Sequence, residues 1–238
     1  MNILTLTNFS AIKNDTTLVT VDNFVVDQGQ KVLLIGANGS GKSSLLFAML
    51  SYPGYSHTGT MYFESEDISN NTTEEKGARG IFFVPQDIPD IGGLTLLQML
   101  FGLYTKKGEH SKSIIEYKTY VEELIAPYGI SKELLLKHIG SSVSGGEKKQ
   151  MELIALIVLC PKLALLDEID SGVDFETVQK IYTTVNALAK TGMSFIIVSH
   201  NLHEVEKIES EHIYICKDGV IVRTQGTDIL NTIKKNGY

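Results

Sequence analysis

Lys31-Val32-Leu33-Leu34-Ile35 runs without a break into Gly36-Ala37-Asn38-Gly39-Ser40-Gly41-Lys42-Ser43-Ser44, and Leu45, Leu46, Met49 and Leu50 follow on one side of a helical spacing. An uninterrupted apolar run ending in glycine predicts a strand buried on both faces. The loop after it then has little choice. Glycines at 36, 39 and 41 let the backbone curl with its N–H groups inward, at the start of a helix whose dipole also favours anions. Such a strand–loop–helix is a nest for phosphate oxygens. Lys42 is expected to reach the β- and γ-phosphates of a nucleotide, and Ser43 to offer a hydroxyl to Mg²⁺.

A second apolar strand, Leu163-Ala164-Leu165-Leu166-Asp167, ends in a carboxylate and is followed by Glu168. Asp167 at a strand end can hold the water shell of Mg²⁺, and Glu168 can orient or deprotonate an attacking water. Two acids at a strand end would be unremarked surface residues without the phosphate loop; with it they complete a hydrolytic set. Gln86 follows the Phe82–Val84 strand and can address the metal or the water. His200 ends Ile196-Ile197-Val198-Ser199, where an imidazole can meet the γ-phosphate and hold Glu168. Ser144-Gly145-Gly146-Glu147 opens another helix: the serine can cap it, and the glycines permit close approach of a phosphate to free N–H groups. Asp174 closes Asp170-Ser171-Gly172-Val173-Asp174 just after the acid pair.

Apolar alternation predicts an antiparallel start (Ile3 to Phe9, Leu18 to Val21, Phe24 to Val26) with turns at Asn14-Asp15 and Gln28-Gly29. Further strands are expected at Thr60–Phe63, Gly80–Val84, Phe195–Val198, and in a hairpin of 213–216 and 220–222 around Lys217-Asp218-Gly219. Helical spacing fills Leu94–Leu103, Ile114–Ile125 and Leu134–Ile139, then a helix from Gly145 stopping before Pro161, Val173–Lys190, and a short tail helix from Asp228. Glu74-Glu75-Lys76 reads as a solvated loop face. The expectation is an α/β chain with a mainly parallel sheet, an antiparallel β part and an inserted helical part. It forms one domain over 1–238, with a core of 1–86 and 162–238 and a helical lobe of 87–161.

Composition excludes several classes. A formal charge of −7 over 238 residues is a poor match to nucleic acid, which needs clustered Lys and Arg. The longest apolar run, Leu153 to Cys160, is well short of the roughly 18 residues a membrane span needs, and Met1-Asn2-Ile3-Leu4 has no basic, signal-like start. The expected setting is therefore a soluble one, cytoplasmic or inside an organelle such as a plastid. The cysteines, Cys160 and Cys216, are too few to ligate an iron–sulfur cluster, and both are expected to be buried or half-buried. His200 and His203 with Glu204 lack the spacing of a helical zinc motif.

The ordered set resembles the ABC ATPase family: Walker A at Gly36–Ser43, Q-loop at Gln86, signature at Ser144–Glu147, Walker B at Leu163–Asp167, D-loop at Ser171–Asp174 and H-loop at His200. The resemblance spans nearly the whole chain. It implies ATP and Mg²⁺ as ligands, ATP hydrolysis, and a head-to-tail dimer in which Walker A of one subunit and the signature of the other enclose each nucleotide. Finer wording is similar to the SufC branch: Ile169-Asp170-Ser171-Gly172 after the acid pair, Lys148-Lys149 after the signature, Asp90-Ile91-Gly92-Gly93 after Gln86, Tyr52–Gly59, and the closing Lys234–Tyr238. That branch implies SufB-like and SufD-like scaffold partners in iron–sulfur cluster assembly. Pro85-Gln86-Asp87 is closer to transporter ATPases, so the alternative is the nucleotide-binding subunit of a membrane transporter. Gln150-Met151 and Ala37 also depart from the SufC pattern. No aromatic platform for adenine is evident near residues 11 to 13, and Phe9 is expected in the core.

Overall fold

The computed structural model describes residues 1–86, 93–106, 108, 111–140, 143–200, 208, 210 and 212–224. The expected tail helix from Asp228, the Lys234–Tyr238 stretch, Asp87, Asp90–Gly92, and His203 with Glu204 lie outside them. The chain divides into two compact units: Met1–Pro85, Pro161–Ile169 and Asn186–Tyr238 form the first, and Gln86–Cys160 with Asp170–Val185 the second.

The first unit is built on a ten-stranded sheet. Its antiparallel part comprises β1 (Asn2–Lys13), β2 (Thr16–Asp27), β4 (Tyr55–Phe63) and the two-residue β5 (Glu66–Asp67). Asn14 and Asp15 turn β1 into β2 with φ of 48° and 58°, positive at both central positions as a tight hairpin requires. The parallel part carries β3 (Lys31–Gly36), β6 (Ile81–Val84), β7 (Leu163–Asp167), β8 (Ser194–Ser199) and β9 (His212–Lys217), in the order β9-β3-β8-β7-β6. β10 (Val220–Thr224) returns antiparallel to β9 and joins the two parts by pairing parallel with β2. β3, β7 and β8 are buried at every residue, which explains their unbroken apolar runs. Phe9, Phe24, Leu34, Leu46 and Met49 form part of one buried cluster, with α1 (Lys42–Met49) on the sheet.

The second unit is helical: α3 (Leu96–Lys106), α4 (Ile114–Ile125), α5 (Gly145–Leu159) and the start of α6 (Phe175–Lys190), whose last turn counts with the first unit. Its grouping is wider than the expected 87–161 lobe, because Asp170–Val185 packs with it. Tyr182 donates its hydroxyl to Asp170 at 2.8 Å, and Lys180 donates to the Gly129 carbonyl at 3.0 Å. Neither link is visible in local spacing.

Three expectations need correction. Glu74-Glu75-Lys76 is not a loop: it lies in α2 (Thr73–Ala78), started by a capping box between Thr72 and Glu75, and Lys76 is wholly buried. Leu134–Ile139 is not a helix. Lys132–Leu136 forms a 3₁₀ turn, after which the chain extends and His138 bridges Thr95. The buried Leu134, Leu135 and Ile139 are served by that turn and strand pair as well as by a helix face. Cys160 is exposed, as the left-handed C-cap of α5 (φ 44°); only Cys216 is buried.

Candidate nucleotide site

Adjacent parallel strands put the chemistry on one edge. In register, Ile35 of β3 faces Ser199 of β8, and Asp167 of β7 faces Val198. The C-terminal ends of these three neighbours therefore deliver the glycine loop, His200 and the Asp167-Glu168 pair to the same rim, where parallel α/β sheets bind ligands.

The loop is shaped by what lies beneath it. A Cβ at Gly36 would come within 2.4 Å of the Cys216 carbonyl oxygen and 2.9 Å of Ser40 Oγ, so no larger residue fits without displacing β9. Gly41 has φ of 109° and a Cβ there would meet Val19 at 2.8 Å. The Cys216 thiol donates to the Ser40 carbonyl at 3.0 Å, and burial raises its pKa. Ala37, Asn38 and Gly39 are exposed at the loop's crest, and Ser44 is half-buried in the first turn of α1.

Lys42 is 4 % exposed and donates to the carbonyls of Gly36 (2.8 Å) and Ala37 (2.9 Å). Burial lowers its pKa, while Glu168, Cys216 and Asp167 act in the opposite direction. The ammonium is thus held inside the curl of the loop, where an incoming phosphate oxygen can replace the carbonyls. Ser43 donates its hydroxyl to Asp167 Oδ1 at 3.0 Å. A hydroxyl and a buried carboxylate at that separation form a set of hard oxygen donors, which suits Mg²⁺.

Glu168 is 9 % exposed and sits at φ 50°, a left-handed conformation that costs a non-glycine residue of order 1 kcal/mol or more. Its N–H donates to the Val198 carbonyl at 3.0 Å, fixing the turn. His200 Nδ1 stands 3.2 Å from Glu168 Oε1, with the imidazole 42 % exposed. A half-exposed ring thereby orients a buried acid.

The remaining expected residues belong to the second unit. Ser144 caps α5 by accepting from the Glu147 N–H (3.3 Å), and the Glu147 carboxylate accepts from the Ser144 N–H at 3.0 Å. Glu147 also takes a short hydrogen bond from Lys137 (2.5 Å), and these donors, Lys137 first, hold its carboxyl below the usual range. Its carboxylate is therefore committed to the cap. Asp174 caps α6, accepting from Thr177 N–H and Oγ1, and the backbone bond foremost lowers its pKa. Cβ atoms at Gly145 and Gly146 would lie 3.4 Å from the Gly172 carbonyl and 3.3 Å from Thr177 Oγ1, so the Ser144 turn and the Asp170–Asp174 loop are packed on each other. Gln86 is exposed, and its main-chain carbonyl accepts from Lys149 at 3.0 Å. Sequence reasoning named Lys149 only within the Lys148-Lys149 pair and Cys216 only as a buried or half-buried thiol; their contacts with Gln86 and Ser40 carry no local signal.

A glycine nest closed by a buried lysine, with a serine–aspartate pair and a positioned glutamate on one sheet rim, defines a P-loop nucleotide hydrolase. The family model described as ABC transporter matches residues 19–171, more than half of the 238 residues, and the chain belongs to that family of ATP-hydrolysing subunits. Among relatives, a "Probable ATP-dependent transporter ycf16" of Antithamnion sp. is 28% identical over 99% of this chain and 96% of its own length. A "Probable ABC transporter ATP-binding protein" of Streptococcus pyogenes is also 28% identical, over 100% and 94%. "ABC transporter I family member 6, chloroplastic" of Arabidopsis thaliana is 28% identical over 91% of this chain and 65% of the relative. A solved nucleotide-free ATP-binding cassette superposes with a TM-score of 0.79 at 24% identity, covering 99% of this chain and 96% of that one. The ADP conformation of another cassette gives 0.77 at 25%, with the same coverage. Among the described residues no helix is long and apolar enough to cross a membrane.

Proposed function

We propose that this chain is the Mg²⁺-dependent ATPase subunit of an iron–sulfur cluster assembly complex, SufC-like in its partners. Two copies would close head to tail on ATP and move bound SufB-like and SufD-like scaffold proteins. One observation carries the reading beyond the family: Ile169-Asp170-Ser171-Gly172 follows the acid pair, with Ile169 and Asp170 buried and Asp170 anchored by Tyr182. The aspartate is built into the loop as a structural carboxylate.

In the proposed cycle the loop Gly36–Ser43 takes the phosphates on its N–H groups, and Lys42 turns from the Gly36 and Ala37 carbonyls to the β- and γ-phosphate oxygens. Ser43 and Asp167 would hold Mg²⁺, with Gln86 as a further oxygen ligand; the ion would offset phosphate charge. Glu168 takes a proton from water as the water oxygen bonds to the γ-phosphorus. The bond from that phosphorus to the bridging oxygen breaks, and ADP and phosphate leave. His200 holds Glu168 in line. Ser144, Gly145 and Gly146 of a second copy would cap the γ-phosphate, with Asp174 shaping the seam.

A second reading is the nucleotide-binding subunit of a membrane transporter. Pro85-Gln86-Asp87 and the transporter names of the relatives favour it. Co-purification of the tagged chain from its own cell separates the two. Recovery of a soluble scaffold pair supports the assembly role, and recovery of a multi-span membrane protein without a scaffold overturns it.

A further inference from the structure

The second unit contains a buried charge that the hydrolytic cycle does not use. Lys149, in the second turn of α5, is 5 % exposed, and Glu152 one turn on is equally buried. The ammonium donates to Glu152 Oε1 at 3.2 Å and to the Gln86 main-chain carbonyl at 3.0 Å. Around them α5 is apolar: Met151, Leu153, Ile154, Leu156 and Ile157 are all buried. An apolar residue at 149 would suit that face better, because burying an ion pair recovers little or nothing of its desolvation cost. What the pair provides is geometry: the ammonium, itself held by Glu152, ties the Gln86 main-chain carbonyl to α5.

We infer that Lys149 is a positioning residue, clamping the Gln86 backbone to α5 so that the Gln86 side chain is aimed and the Ser144 turn moves with it. This rests on the reading of Gln86 as a Mg²⁺ ligand. Lys149 lies five residues beyond Ser144 on one continuous helix, so displacement of the capped N-terminus displaces the carbonyl it holds. A ligand's supporting partners typically alter metal affinity 10–100-fold when removed.

The test uses the full chain carrying Glu168→Gln, loaded with ATP, and Mn²⁺ as the probe, with free Mn²⁺ followed by electron paramagnetic resonance. The paired variant K149M/E152L removes both charges, so no lone ion is left buried and the fold is retained; its thermal midpoint is measured alongside. Expected is a rise in the Mn²⁺ dissociation constant of about tenfold, similar to Gln86→Ala, with less than about twofold further loss when the two are combined. Lys149→Arg keeps charge and donor, and should bind Mn²⁺ within about threefold of the parent. An unchanged constant in the paired variant, losses that multiply on combination, or a folded K149R as weak as Gln86→Ala would each overturn the inference. A parent that hydrolyses ATP and binds Mn²⁺·ATP, beside an indifferent paired variant, overturns this inference alone. A wild-type chain that does neither overturns the functional reading with it.

Discussion

Glu168 is held by two constraints, and each would serve the proposed reaction. Its left-handed backbone is locked by the hydrogen bond to Val198, and its carboxylate faces the His200 imidazole. Strain of that kind persists where the surroundings over-determine it. Replacing the acid with an amide keeps shape and hydrogen bonding but removes the proton acceptor. Glu168→Gln should therefore bind ATP as before and turn over at least about a hundredfold more slowly, the size expected for loss of a general base; a phosphate-release assay beside a binding titration checks both halves. Gly36 is a different kind of residue, chosen by space. With the Cys216 carbonyl 2.4 Å from where a Cβ would stand, Gly36→Ala must push β9 away or tilt the loop. The expected outcome is loss of nucleotide affinity by more than about tenfold together with a lower thermal midpoint, because either shift spoils the N–H array and the packing beneath it. That the candidate residues of the first unit share one rim was legible from sequence, because Gly36, Asp167 and Ser199 end fully buried strands, with the glycine loop, Glu168 and His200 directly after them, and parallel neighbours bring such ends together. Lys149 and Cys216 were not legible, because their roles depend on contacts 63 and 176 residues away.

At the scale of single elements, hydrophobic spacing located most strands and the long helices, missing the two-residue β5 and the first half of β4, and α4 falls on the expected Ile114–Ile125. It failed at α2, where only six residues form the helix and its inward residue is a lysine. Charge pattern alone placed Lys76 in solvent; Thr72 and Glu75, three apart, carried the contrary signal as a capping box. Lys76 instead donates to Ser51 Oγ at 2.8 Å, and burial lowers its pKa from 10.5 to about 8. The sign of the consequence follows. Between pH 8 and 10.5 the unfolded chain binds a proton at Lys76 that the folded chain has released, so raising the pH through this window favours the folded state. The gain amounts to at most about 3 kcal/mol, and it is lost again as pH falls through 8. Lys76→Met should accordingly be more stable than the parent at pH 7, by about 1–3 kcal/mol, with the gap closing as pH approaches 10. Denaturant unfolding of the two proteins at several pH values measures it. A gap that widens with pH would contradict the buried ammonium as its source.

For the whole molecule the open matter is how a half-site becomes a complete one. The described first unit offers a nest, a lysine and the glutamate proposed as base, while the Ser144 turn of the second unit presents Ser144 and Gly145 exposed. In the proposed dimer that turn caps the triphosphate held by the other copy. Ser144→Arg isolates the idea. Losing the side-chain cap costs α5 about 1 kcal/mol, which a 15-residue helix with eight buried residues withstands, so the fold and the cis nucleotide site should survive. The guanidinium, however, would occupy the position where a second copy's γ-phosphate must approach. The expected result is ATP affinity within about threefold of the parent and ATP turnover reduced at least about a hundredfold, because neither copy completes the other's site. In sizing experiments with saturating ATP, Glu168→Gln should shift to a dimer as concentration rises, whereas Glu168→Gln combined with Ser144→Arg should stay a monomer. The first protein measures closure on trapped ATP, and the second removes only the capping turn. Dimerisation of both would place the seam elsewhere, and failure of both, with natural partners added, would exclude closure on shared nucleotide as the working step.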